Sequence, residues 1–151
     1  LQEGLAVLAE YLVDGLTINR MRILAGRVVA AKSIVKGADF IETFNLLRLK
    51  YKFSKSTAYY ITMRIYRGGG LTKDAVYLAG LLHVMDYLKD GGNLDTLYTG
   101  KFNINHVEII EELLHRRVLR PPTTPRFLER TKVKQRLQKV RDGLHITELL
   151  H

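Results

Sequence analysis

The chain has 151 residues, 46% of them hydrophobic, enough to bury a substantial core. It has no cysteine, which excludes disulfides and thiolate metal sites and fits a reducing, cytoplasmic setting. No apolar run reaches the ~18–20 residues that cross a bilayer, so no membrane partner is expected. The net charge of +9 is unevenly placed. Residues 20–67 carry eleven basic and two acidic residues, and residues 116–142 carry ten and two. Between them, residues 68–115 carry three basic and seven acidic residues. Such basic blocks attract anionic partners, although any single Lys or Arg is most simply a solvated side chain.

In chain order, Leu1, Leu5, Leu8 and Leu12 recur at helical spacing, which predicts a first helix over about 2–14, stopped by Gly15. Glu3 and Glu10 lie seven residues apart, about two turns, and project from one side of it. Thr17 is placed to cap a second helix ending at Gly37, with Ile23, Leu24, Val28, Ala31 and Val35 as its apolar set. A third helix opens at Ala38 or Asp39 and turns Phe40, Phe44, Leu47 and Tyr51 inward. A fourth opens at Ser54 or Ser56 and runs through Tyr66. Tyr59 and Tyr60, being adjacent, face different ways, so one is expected in the core.

Gly68-Gly69-Gly70 breaks the chain. Thr72 then caps a long helix to Lys89, with Val76, Leu78, Ala79, Leu82 and Met85 apolar and His83 at the core boundary. Leu94 to Tyr98 reads as one short turn, and Asn105 as the cap of a helix to about Arg117. Pro121, Pro122 and Pro125 mark a linker before a basic helix over about 126–141. The fold class is all-α, an irregular bundle of about six to eight helices. The expected division is residues 1–120 as the helical body and 121–151 as linker and basic C-terminal helix.

One cluster carries chemistry on physical grounds alone. Arg64 and Arg67, three apart, share a helical face. With Tyr66 they lead into three glycines, whose backbone N–H groups can converge on an anion. The next helix turns its positive end to the same place. This set suits a carboxylate such as a peptide C-terminus. The ordinary structural explanation is a loop beside two solvated arginines.

Three blocks resemble the QEGLA-motif family of zinc metallopeptidases, which is similar to the microtubule-associated tyrosine carboxypeptidases. They are Gln2-Glu3-Gly4-Leu5-Ala6, the stretch from Ile65 to Leu78, and Leu119-Arg120-Pro121-Pro122, in family order. The resemblance implies that Glu3 is the third zinc ligand of the intact protein and Glu10 an acid orienting another ligand. It also brings Lys73 and Tyr77 into the carboxylate-binding set with Arg64, Tyr66, Arg67, Gly68, Gly69 and Gly70. In the family a His-Glu-x-x-x-His helix precedes the motif. The five histidines here (His83, His106, His115, His145, His151) show no such pairing. The expectation is therefore the C-terminal portion of a peptide-bond hydrolase, inactive and zinc-free alone. Its partners would be a peptide or protein substrate, the upstream half of the same protein, and a second copy through exposed apolar surface. The alternative is a basic helical module for nucleic acid or an acidic protein. Nucleic acid is the weaker choice, because no recognised binding motif occurs.

Overall fold

The computed structural model describes residues 1–68 and 71–150, the side chains of Leu71 and Thr72 excepted. The described residues form α-helices and short helical turns, with no strand among them. The helices are α1 (Gln2–Leu12), α2 (Ile18–Val35), α3 (Phe40–Asn45), α4 (Lys55–Tyr66), α5 (Leu71–Lys89), α6 (Val107–His115) and α7 (Thr131–Arg141). A π-helical turn, Leu46–Lys50, extends α3, and 3-10 turns occupy Leu94–Tyr98, Ile104–His106, Arg126–Glu129 and Ile146–Leu150. The all-α expectation holds.

The starts of these helices reflect the side-chain chemistry. Thr17 accepts from the Arg20 amide at 3.1 Å, and Ser54 accepts from the Thr57 amide at 3.2 Å. Asp39 and Glu42 form a reciprocal capping box, each bond 2.8 Å. At the sixth helix the cap moves. Asn103, not Asn105, accepts from the backbone, and it opens the 3-10 turn that leads into α6. The basic C-terminal segment is likewise split, a 3-10 turn at Arg126–Glu129 preceding α7.

Two compact units emerge. Residues 17–78 form one of them. Its core is Ala30, Leu47, Ala58, Ile61 and Ile65, with Phe44, Phe53 and Tyr66 packed against it. Burying each large aliphatic side chain there is worth roughly 1.5–3 kcal/mol. Helices α2 and α4 pack on each other, and Gly26 makes room, since a Cβ there would lie 2.9 Å from the Phe53 ring. Tyr51 and Val35 are exposed, against the inward positions expected for them. The π-helical turn is the reason at Tyr51: one extra residue per turn rotates the next positions away from the α-helical phase.

Residues 1–16 and 79–151 form the other unit, in which α7 packs on α1 and α6 on the Leu94–Tyr98 turn. Its buried apolar residues include Leu5, Leu8, Leu12, Leu81, Val84, Leu88, Leu97, Val133 and Val140. Helix α5 runs through both units. Its buried positions include Asp74, Gly80, Leu81, Val84, Met85 and Leu88, whereas Val76 and Leu82 are exposed. The expected stripe was out of phase because α5 is apolar nearly all round, so its sequence does not mark one face. His83, expected in the core or at its boundary, is exposed.

Candidate functional site

The first motif is a small mechanical assembly around one carboxylate. Gln2 Nε2 donates to the Gly100 carbonyl, and tethers the start of α1 to the end of the Leu94–Tyr98 turn. Gly4 is buried against α5, where a Cβ would come within 2.0 Å of the Gly80 carbonyl carbon. Leu5 is 5% exposed. Gln2, Gly4 and Leu5 thus fix the height, spacing and rotation of the helix that carries Glu3. Glu3 and Glu10 are both half-buried on that helix.

The far end of α1 is held by the basic C-terminal helix. Arg136 donates to the Tyr11 carbonyl at 3.1 Å, pairs with Asp14, and lies over the Tyr11 ring at 5.7 Å. The positive guanidinium sits where a helix C-terminus favours a cation.

The second cluster lies in the unit of residues 17–78. Helix α4 stops at Arg67 and Gly68, whose φ of +82° belongs to the left-handed region that glycine adopts freely. Arg67 is exposed beside this stop. Gly69 and Gly70 lie outside the described residues, so their expected anion nest is a matter of sequence alone. Arg64 is half-buried and paired, rather than freely solvated. Its Nε donates to both oxygens of Asp74, at 3.1 and 2.9 Å. Asp74 is completely buried, and Arg27 of α2 approaches it from Nη1 at 3.5 Å. Hydrogen bonding to Asp74 raises the Arg64 pKa, whereas burial, and then Arg64 beside it, lower that of Arg27. Lys73 is exposed and Tyr77 half-buried, the latter within electrostatic reach of both arginines.

Tyr66 does not join this cluster. Its hydroxyl bonds Thr43 Oγ1 and the Ala38 and Asp39 carbonyls, and its ring meets Phe40 edge-on at 5.6 Å. Neither Tyr59 nor Tyr60 is core: they are 53% and 52% exposed, with Tyr59 edge-on to Phe40. Sequence reasoning assigned no site role to Arg27 or Asp74. The available signal was three charged residues, Arg27, Arg64 and Asp74, on three separate helices, but only a tertiary contact brings them together.

A catalytic zinc needs three protein ligands and an open position. No group of three His, Cys, Asp or Glu side chains able to hold a metal occurs among the described residues. Glu3 alone does not make a zinc site. An open cleft elsewhere, lined by Tyr87, Asn93, Glu108 and Glu111, is acidic in character and unsuited to an anion. No described helix is long and apolar enough to cross a membrane.

The described residues thus form an all-α protein with a motif carboxylate held on α1 in one unit and, in the other, two partly buried arginines sharing one buried aspartate. The family model of the microtubule-associated tyrosine carboxypeptidases matches residues 1–145. The chain belongs to that family, as the three sequence blocks implied. No curated protein and no solved structure matches it.

Proposed function

We propose that the chain is the part of a carboxypeptidase-type peptidase that presents Glu3 to a metal site and receives the free C-terminus of a peptide. The observation that carries this reading is the family match over residues 1–145, which spans both the Glu3 helix and the arginine cluster. Peptide-bond hydrolysis at a chain end needs a receptor for the terminal carboxylate. Arg67, exposed at the glycine stop of α4, and Arg64, held in place by buried Asp74, supply guanidinium groups of the right charge and shape. Lys73, exposed in the first turn of α5, adds positive charge nearby in sequence. The remaining metal ligands and the general base would come from a histidine-bearing segment outside these residues, and the chain alone would be inactive and cytoplasmic.

Arg67→Ala in the full-length protein tests the reading. It should reduce turnover of peptides with a free C-terminus by about tenfold or more, the value of a lost charged hydrogen bond, and leave amidated peptides nearly unaffected. Equal loss on both would make Arg67 structural.

A second reading rests on α7, whose Lys132, Lys134, Lys139 and Arg141 are all exposed. These favour a docking face for an acidic protein segment. Binding of a poly-glutamate peptide that disappears at physiological salt would reject that reading.

A further inference from the structure

Arg27 has no part in the family motif blocks, lies mid-helix, and is nevertheless drawn into the polar cluster at α2, α4 and the start of α5. Its side chain is 12% exposed. Its Nε is buried with no hydrogen-bond partner among the described residues. Asp74, which it approaches, is already engaged by both oxygens to Arg64 Nε. Two guanidinium groups therefore share a single carboxylate, and Arg20 adds further positive potential at Arg27.

A buried charged donor without an acceptor is costly, and a like charge beside it adds to the cost. Water would satisfy the bare Nε but leave the excess charge. A carboxylate would satisfy both, because a guanidinium offers Nε and one Nη as a parallel pair of donors to two oxygens. Asp74 meanwhile holds Arg64 by Nε. Nothing in the sequence pattern marked Arg27, and this role rests on the carboxypeptidase reading above only for the origin of the ligand.

We infer that Arg27 is a further ligand-binding residue: its Nε edge, with Arg64 held by Asp74, receives the carboxylate of a peptide C-terminus. Asp74 is the positioning residue, since it orients both guanidinium groups without touching the ligand.

The test uses the Arg27 Nε–Hε resonance of the full chain, observed by 15N-correlated NMR and assigned by its loss in Arg27→Lys. The probes are an acetylated dipeptide with a free carboxylate, the same dipeptide as its amide, sodium acetate, and sodium sulfate. The expected result is a saturable shift with the free acid, a weaker one with acetate, and none with the amide. Arg27→Lys, which keeps the charge but lacks Nε, should weaken binding of the free acid by about tenfold. An unmoved Hε resonance overturns the proposal, as does equal affinity in Arg27→Lys. An equal response to peptide, acetate and sulfate means an adventitious ion only and also overturns it. If Arg27→Lys fails to fold, the wild-type titration decides by itself. Because the titration needs no turnover, it is separate from the enzymatic reading. Should the full-length protein cleave acids and amides alike while Hε still responds, the carboxypeptidase reading falls and the carboxylate site stands.

Discussion

Gly4 of α1 and Gly80 of α5 meet backbone to backbone, and the two sides of that contact are unequal. A Cβ on Gly4 would lie 2.0 Å from the Gly80 carbonyl carbon, whereas a Cβ on Gly80 would lie 3.2 Å from the Gly4 nitrogen. Gly4→Ala therefore forces the helices apart and should destabilise the protein by about 2–3 kcal/mol, as overpacking against backbone does. Gly80→Ala needs only a few tenths of an ångström and gains helix propensity, so it should be within about 1 kcal/mol of wild type. Urea unfolding of the two variants checks the asymmetry. Equal effects would mean that the two helices do not cross this closely.

The buried aspartate gives a second prediction. Asp74→Ala leaves Arg27 and Arg64 facing each other without their shared counter-charge. Breaking a buried pair in this way costs about 3–5 kcal/mol, and the loss is expected near the lower end because Arg64 keeps access to water. Denaturant midpoints measure it. A loss below about 1 kcal/mol would show that the two arginines are solvated and that Asp74 orients neither.

These two features also show what can be read from the sequence and what cannot. The cap at Thr17 was legible, and those at Asp39 and Ser54 to within two residues, because caps act within three residues of themselves. Glycine stops are equally local. The role of Gly4 was hidden, since a close helix crossing depends on a partner 76 positions away. Arg64 looked solvated because its partner is ten residues on, across the glycine break. The phase of α5 could not be chosen from a helix apolar on most sides, so Val76 and Leu82 were expected inside and lie outside. Tyr51 was misplaced by a π-helical turn that no residue of Leu46–Lys50 announces.

Tyr87 provides a pH test. Burial, and then its hydrogen bond to Glu111, push its hydroxyl up to about 12. The native state thus holds this proton more tightly than the unfolded chain, whose tyrosine titrates near 10. The resulting stability is fully present below about pH 10 and is lost as pH rises through about 12. Tyrosinate absorbance should contain a delayed component that Tyr87→Phe reduces, the part that remains belonging to Tyr11 and Tyr98, which burial also raises. An unchanged late component would place the shift on another tyrosine.

Zinc added to the chain alone should remain exchangeable. The described residues offer no three-ligand group, and Glu3 supplies only one carboxylate. Metal analysis after dialysis checks this. One tightly held zinc per chain, lost in Glu3→Gln, would contradict it.

Mass spectrometry of the products formed by the full-length protein, with wild type beside Glu3→Gln, tests the carboxypeptidase reading most directly. Wild type should release a single residue from the C-terminus of peptides bearing a free carboxylate and leave the matching amides intact, and Glu3→Gln should release none. Internal cleavage, equal cleavage of acids and amides, or full activity in Glu3→Gln would contradict the account.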